Sequence, residues 1–320
     1  MSGAAIDQDE SAAVRPSRRA VVLQWGTLAC VLGAFALALR GSWAAVGSQL
    51  VLLSPGGIAL GALLTTVATA ASFVSWRAIL ADLGSPVPWL PAARIFFVGQ
   101  LGKYLPGSVW PVLVQMRLGH RLGVPRRRMA VAFVVTLGLA LAWGLLLGLA
   151  AVPTLLAGGH ARYAWALAAL PLLVVFLLPR PVNALLGLVL RAARRPALEH
   201  PLSARGLASA SLSVLGFWVL AGLSMWVLLV DLGAPVWSTL LVAVGGFGLA
   251  FSAGPLLVVL PAGAGVREAV LTVVLAGSVG TTRAVAVALV SRLLFAVADG
   301  VLAAVAEVGA RVDSRAARPR

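Results

Sequence analysis

Charged residues are scarce in this sequence, and the few that are present are mostly basic. Only 11% of the 320 residues are charged, whereas about a quarter are charged in ordinary soluble domains. Cysteine occurs once, at Cys30, and the three histidines lie far apart along the chain. A disulfide within the chain and a Cys- or His-rich metal site are therefore not expected.

Familiar enzyme signatures are missing as well. The sequence contains no Walker A loop and no HExxH motif, and the segments between its apolar stretches are too short to hold a separate catalytic domain. An enzyme is therefore disfavoured, although a reaction at the membrane surface stays compatible with the sequence. Neither a cofactor nor a metal is expected.

Long apolar stretches dominate what is present. Hydrophobic residues make up 61% of the chain, and the mean hydropathy is +1.00, more apolar surface than one soluble core could bury. Several stretches approach the roughly 20 residues that cross a hydrocarbon core of about 30 Å. They are residues 21–39, 57–76, 129–150, 163–179, 207–230 and 284–306. None alternates like a strand, so an all-α membrane protein with about six spanning helices is predicted.

The net charge of +15 follows the predicted topology. If the spans alternate, nearly all arginines fall on one side, and only Arg40, Arg162 and Arg283 fall on the other. Basic loops mark the cytoplasmic side, so both termini are predicted to be cytoplasmic and nucleic-acid binding is not. The same loops could also contact anionic lipid headgroups. Residues 1–18 are expected to be disordered, 19–310 to form the membrane domain and 311–320 a basic tail.

An internal repeat organises the membrane domain. The pattern D-L-G-x-P-V occurs at residues 82–87 and again at 231–236. Each copy precedes an apolar stretch that proline and glycine interrupt, and each interrupted stretch leads into a clear span. Repeat 1 would cover about 20–150 and repeat 2 about 162–306. Each unit would cross the membrane three times, so the copies would form an inverted-topology repeat; chance similarity is the alternative.

The interrupted stretches, 95–116 and 238–277, are predicted to be broken or re-entrant helical hairpins, each made of two short helices that meet at a buried turn. Pro106, Gly107 and Pro111 interrupt the first, and Pro255 and Pro261 interrupt the second. Proline ends helices, and non-helical backbone at membrane depth persists only where it is buried or lines a wet cavity. The hairpin tips are therefore expected near the midplane, although simple proline kinks are an alternative and either hairpin could span fully.

Charged residues beside the interruptions are candidates for ligand binding, because charge inside a bilayer is costly. Lys103, the only lysine, directly precedes the first interruption and could hold a phosphate or extend to the interface. Arg267 could hold a lipid phosphate. Glu268 could stabilise a helix N-terminus, act as counter-charge to Lys103 or carry a proton. Arg292 and Asp299 lie seven residues apart, on roughly one face of a predicted helix. They are predicted to take part in an ion pair within or between helices, or to belong to a polar pathway.

Other polar and aromatic residues could surround this region. Polar side chains that could line an entrance flank the first interrupted stretch: Arg94, Gln100, Gln115 and Arg117. Tryptophans expected in interfacial belts are Trp76, Trp89, Trp110, Trp218 and Trp237. Trp110 is closest to the interruption and is also a site candidate.

Three segments resemble a known family. They are G-Q-L-G-K-Y-L-P-G-S-V-W at 99–110, the glycines at 119 and 123, and L-P-A-G-A-G-V-R-E at 260–268. Together they resemble the lysylphosphatidylglycerol synthase transmembrane-region family, also called the flippase-like domain family, over about residues 20–310. The resemblance implies a bacterial cytoplasmic-membrane protein related to the flippase half of the multiple peptide resistance factor, which moves aminoacylated phosphatidylglycerol between leaflets.

The resemblance also implies substrate-binding positions: Lys103, Tyr104, Pro106, Gly107, Trp110, Arg267 and Glu268. Gln100, Gln115, Arg292 and Asp299 are predicted from the residues themselves to form a secondary polar pathway. Ala262 and Ala264 depart from the family pattern, in which a Pro-Gly-Gly-like spacing is more usual. Aminoacyl transfer belongs to a separate soluble domain that is not expected here, so aminoacyltransferase activity is not implied.

The predicted function is a lipid flippase or transporter that acts on anionic or aminoacylated phospholipids or on a lipid-linked substrate. With no ATP site visible, active transport would use an ion gradient or the membrane potential. One alternative is a membrane subunit of a lipid-linked glycosyl or aminoacyl transfer system, with a soluble transferase as partner. The other is a non-transporting envelope scaffold. A homo-oligomer is compatible with each.

Overall fold

The computed structural model describes residues 43–105, 109–149, 170–256 and 265–316, and these residues are helical without strands. The helices are α1 (Trp43–Leu52), α2 (Pro55–Asp82), α3 (Trp89–Gln100), α4 (Trp110–His120), α5 (Arg126–Gly148), α6 (Leu170–Val175), α7 (Pro179–Ala192), α8 (Ala204–Asp231), α9 (Val236–Leu256), α10 (Val266–Val279) and α11 (Thr281–Ala316), with a short 3-10 turn at Leu101–Tyr104. The predicted all-helical class is confirmed.

Within these ranges, five helices are long and apolar enough to cross a membrane: Pro55–Asp82, Arg126–Gly148, Ala204–Asp231, Val236–Ala253 and Thr281–Asp313. Four of them contain the predicted spans at 57–76, 129–150, 207–230 and 284–306, apart from the last residues of the second. The fifth lies in a stretch that was predicted to form two short helices. That prediction was wrong for α9, because the prolines lie late enough to leave a full-length arm. The span predicted at 21–39 lies outside the described residues, as does most of 163–179.

Helices α2 and α8 form an antiparallel pair with the same cap at both ends. Ser54, the N-cap of α2, donates from its backbone N–H and its hydroxyl to Asp231 at 2.7 and 2.8 Å. Ser203, the N-cap of α8, donates in the same two ways to Asp82 at 2.7 and 2.7 Å. Asp82 and Asp231 each end a helix of 28 residues. The two aspartates of the D-L-G motif therefore join the N-terminus of one helix to the C-terminus of the other.

The same pair is joined at its centre by small polar side chains. The hydroxyls of Thr65 and Ser224 lie 2.9 Å apart, and Ser224 donates to the Gly61 carbonyl at 2.9 Å. A methyl group at Gly61 would lie 3.2 Å from Leu294 Cδ1 and 3.5 Å from the Ser224 hydroxyl, so there is little room for a side chain at this position. Small and hydroxyl-bearing residues stabilise helix contacts in this way inside a bilayer.

We expect Asp231→Ala to destabilise the protein by about 1–3 kcal/mol, because it removes two hydrogen bonds to a carboxylate and weakens the cap of α2. Asp82→Ala removes the matching bonds at the other end, where Ser203 is exposed, so its loss should be smaller. Thermal or denaturant unfolding in one detergent measures both. A larger loss for Asp82→Ala would contradict the assignment of the more buried cap to Asp231.

Aromatic side chains fill the core on both sides of this pair. Trp76 contacts Phe96 with ring centroids 5.5 Å apart, and Trp218 contacts Phe247 at 5.8 Å. Both tryptophans are fully buried, so their predicted interfacial placement was wrong. Trp89 and Trp237, which stand at the first turns of α3 and α9, are 56% and 84% exposed, as interfacial tryptophans are expected to be.

Candidate functional site

The first broken hairpin is formed by α3, the 3-10 turn and α4. Its arms meet at Gly102, where an added Cβ would lie 2.9 Å from the backbone of both Trp110 and Pro111. A side chain there would clash with backbone atoms, so glycine permits the close return of the chain. Trp110 is half-buried against this turn. Pro106 and Gly107 lie outside the described residues, and their predicted roles stay predictions.

Lys103 and Tyr104, at the end of this turn, both bind Asp299 of α11. The Lys103 Nζ lies 2.6 Å from Asp299 Oδ2, and the Tyr104 hydroxyl donates to the same oxygen at 2.6 Å. The Asp299 side chain is fully buried, whereas Lys103 keeps 29% of its side chain exposed. The second carboxylate oxygen, Oδ1, has no hydrogen-bond partner in the described part of the chain. A buried carboxylate is stable only when paired, so Asp299 depends on this hairpin.

The second hairpin binds the same helix through Glu268. Glu268 lies in the first turn of α10, and its Oε2 accepts the Gly265 N–H at 2.7 Å. This contact satisfies an amide that the helix start would leave unpaired, and it confirms the predicted helix-terminal position. The other oxygen, Oε1, pairs with Arg292 Nη1 of α11. Glu268 therefore connects the first turn of α10 to α11.

Arg267 lies between these ion pairs in an aromatic cage. Its guanidinium carbon lies 4.7, 5.4 and 5.0 Å from the ring centroids of Phe247, Phe251 and Phe295. Only 8% of the residue is exposed, and among the described residues no carboxylate lies within ion-pair distance of it. Its Nη2 has no hydrogen-bond partner among those residues. Aromatic faces stabilise a desolvated cation, so the cage holds Arg267 while leaving that donor free.

Helix α11 is the element that both hairpins share. Asp299 binds the first hairpin and Arg292 binds the second, so the predicted ion pairs of these two residues are confirmed as contacts between helices. The predicted pairing of Glu268 with Lys103 was wrong, because each of them binds α11 instead. Partner choice depends on which helix packs between the hairpins, and residue spacing along the chain does not reveal that.

The polar residues predicted to line an entrance have separate environments. Gln115 is fully buried, and neither of its amide atoms has a hydrogen-bond partner among the residues that the structure describes. Its Cγ would lie 2.5 Å from a Cβ at Gly99. Gln100 is partly buried and Arg117 is exposed. Arg94 of α3 donates two hydrogen bonds to the Glu307 carboxylate of α11, at 2.6 and 3.1 Å. This contact joins the first hairpin to α11 at a second position.

The aromatic cage around Arg267 was not predicted from the sequence. Phe247, Phe251 and Phe295 come from two helices, and in the sequence they look like ordinary apolar residues. The signal that could have found them is the helical spacing of Phe247 and Phe251, which places both rings on one face of α9.

Several charged groups surround Arg267 inside the apolar bundle. Arg267 interacts electrostatically with Glu268, Arg292, Tyr104 and Asp299. Within the described ranges, no three His, Cys, Asp or Glu residues lie together as metal ligands would. Within the part of the chain that the structure describes, the Arg267 donor and the Asp299 acceptor are left without hydrogen-bond partners. They could bind an anionic and a cationic group respectively.

Comparison with known proteins assigns the family. The profile of the family described as lysylphosphatidylglycerol synthase TM region matches residues 24–300, which is most of the chain. A search of curated proteins finds no match. With helices able to span a bilayer, the match shows a multi-pass membrane protein. The chain belongs to the lysylphosphatidylglycerol synthase transmembrane-region family.

Proposed function

We propose that this protein moves a phospholipid or lipid-linked substrate between the leaflets of the bacterial cytoplasmic membrane. The observation that carries the proposal is the charged cluster between α10 and α11, where Arg267 of α10 and Asp299 of α11 are buried and each has one polar atom without a partner among the described residues. Unpaired polar atoms in a buried position cost about 1–3 kcal/mol each. A transient polar ligand would remove that cost when it binds.

The arrangement of the halves supports an inverted-topology repeat. Because α2 and α8 are antiparallel and carry matching caps, the segments that follow them start from opposite ends of the bundle. Helix α3 begins near Asp82, and α9 begins near Asp231. Both hairpins nevertheless reach α11. This is the arrangement in which inverted-repeat transporters place ligand sites between two broken elements.

The depth of the cluster supports a site within the bilayer. At about 1.5 Å per residue, Arg292 lies about 16 Å from the start of α11, roughly half of a 30 Å hydrocarbon core. Arg267 and Glu268 lie at the same level because Glu268 binds Arg292. A lipid headgroup would place its phosphate at Arg267, whose planar fork suits phosphate oxygens, and would leave its acyl chains in the surrounding lipid.

The distribution of arginines supports an orientation with the Asp82 end in the cytoplasm. Arg128 donates to the Gly84 carbonyl at 2.8 Å, which places the start of α5 at this end. Arginines at the same end are Arg77, Arg121, Arg126, Arg127, Arg191, Arg194, Arg195 and Arg205. Near the other end, which carries Ser54 and Asp231, the described residues include only Arg283. The excess of positive charge marks the cytoplasmic side.

Leaflet exchange of labelled phospholipid in proteoliposomes tests the proposal. Asp299→Asn removes the charge and keeps the side-chain size, and Arg267→Gln removes the charge but leaves a shorter polar side chain. Each should slow exchange about tenfold or more, because one charge-assisted contact is worth about 1.5–3 kcal/mol. Glu199→Gln is the matched control, because Glu199 forms exposed ion pairs with Arg127 and Arg128 at the end of the bundle. Its rate should stay within about twofold of wild type.

Two results would contradict the proposal. One is a wild-type exchange rate equal to that of protein-free liposomes. The other is equal rates for wild type, Arg267→Gln and Asp299→Asn, with all variants folded by the same unfolding assay. The second result would reject the site even if transport itself were found.

A further inference from the structure

Helix α7 has three different faces, and the proposed transport site does not use them. Its first face is buried against the bundle through Val182, Leu186 and Leu190. Its second face is apolar and exposed, with Leu185, Leu188 and Val189 at 42%, 58% and 54% exposure. At 100° per residue, Arg180 and Arg191 share the third face. Buried, apolar and basic strips therefore run side by side along one helix.

The helix is fixed in position by Asn183. The Asn183 side-chain amide donates to the Leu202 carbonyl at 2.8 Å and its carbonyl accepts the Leu202 N–H at 2.9 Å. The next residue, Ser203, is the N-cap of α8 and binds Asp82. Helix α7 is thus attached to the cap that joins α2 and α8, and its depth is set by that end of the bundle.

That end lies at the level of the lipid headgroups. A helix of 28 residues such as α8 is about 42 Å long at 1.5 Å per residue, so it exceeds the roughly 30 Å hydrocarbon core and its ends extend into the headgroup region. A helix attached to the first residues of α8 therefore lies in this region. An amphipathic helix with an apolar strip beside a basic strip is suited to that depth.

Charge complementarity indicates what covers the exposed strips. Arg180, Arg191 and Arg194 are exposed, and within the described ranges no ion pair joins them to a carboxylate. Arg126 and Arg205 add positive charge at the same end. A second copy of the chain docked on this strip about a two-fold axis would bring arginines together, which is unfavourable. Anionic headgroups have the opposite charge, and acyl chains match the apolar strip.

We propose that α7 is an interfacial helix that binds anionic phospholipids of the cytoplasmic leaflet, with Leu185, Leu188 and Val189 among the acyl chains and Arg180, Arg191 and Arg194 at the phosphates. Each arginine near an anionic surface raises association about fivefold. This binding is separate from transport through the bundle, and it gives the protein a preference for membranes rich in anionic lipid.

The test uses two labelling positions on α7. Cys30 is the only cysteine, so Cys30→Ser gives a background in which Val189→Cys or Ala184→Cys carries one environment-sensitive dye. Both positions are exposed, and at 100° per residue they point about 140° apart, with Val189 on the apolar strip and Ala184 beside the basic strip. In vesicles of mixed phosphatidylcholine and phosphatidylglycerol, brominated acyl chains should quench the dye at 189, and aqueous iodide should quench the dye at 184.

The dependence on anionic lipid is then measured by titrating the phosphatidylglycerol fraction. Quenching at 189 by acyl chains should increase with this fraction, and Arg180→Gln with Arg191→Gln should move the half-maximal fraction at least about fivefold upwards or abolish the response. Equal iodide quenching at 184 and 189 would overturn the proposal, because it would place the helix in water. Acyl quenching independent of phosphatidylglycerol would overturn anionic binding, and Val189→Cys disulfides between chains in every lipid would assign the strip to a second copy.

Discussion

Replacing Glu268 with alanine is expected to lower the free energy of unfolding by about 3 kcal/mol, because breaking a buried ion pair from one side leaves an uncompensated charge. The value is at the low end for such pairs because Arg292 keeps 31% of its side chain exposed, whereas Glu268 keeps 4%. The variant would deprive Arg292 of its carboxylate and the Gly265 N–H of its acceptor. The ion pair that joins the first turn of α10 to α11 would be lost.

Denaturant unfolding in detergent micelles measures this loss, and a double variant identifies its cause. Glu268→Ala with Arg292→Leu removes both charges, so it should recover a large part of the lost stability. Glu199→Ala is the control, because its ion pairs are exposed and should contribute no more than about 1 kcal/mol. A loss for Glu268→Ala as small as the control's, or no recovery in the double variant, would show that the pair does not hold the second hairpin.

Gly248→Ala is expected to have the other large effect, about 3 kcal/mol of destabilisation, because overpacking a close helix contact forces backbone movement. A Cβ at Gly248 of α9 would lie 2.4 Å from the carbonyl oxygen of Gly144 on α5. No side-chain rotation relieves a clash with a backbone atom. The two helices would have to separate, and the packing of Trp218 against Gly144 would be disturbed with them.

Gly138→Ala is the matched control for this prediction. Gly138 lies in the same α5, and a Cβ there meets nothing within 4 Å, so alanine should stabilise the helix by up to about 1 kcal/mol. The same chemical change should therefore have opposite signs at the two positions. Unfolding of both variants in one detergent gives the comparison, and equal effects would mean that α5 and α9 are not in backbone contact.

The first broken hairpin could be predicted closely from the sequence, and the second only in part. In both, proline and glycine interrupt an apolar stretch, and this pattern indicates where a helix cannot continue. The structure shows an early end for α3 at Gln100, but α9 continues to Leu256. The length of each helix in a hairpin depends on where the interruption falls. The pattern of proline and glycine predicted short helices in both hairpins.

The charged residues of the site were predictable because charge in an apolar stretch is costly and needs a reason. Lys103, Arg267, Glu268, Arg292 and Asp299 could all be singled out in that way. Their partners could not, since Lys103 and Asp299 lie far apart in the chain and meet only when α11 packs against the first hairpin.

By itself, the sequence determined that this is a helical membrane protein, where most of its spans lie and which residues bear buried charge. These properties follow from local hydropathy and backbone chemistry, which act on each segment separately. Only the tertiary structure decided that two 28-residue helices cap each other, that α11 joins both hairpins, and that three phenylalanines surround Arg267. Those contacts depend on which faces of distant helices pack together, and that choice minimises the energy of the whole bundle rather than of any one segment.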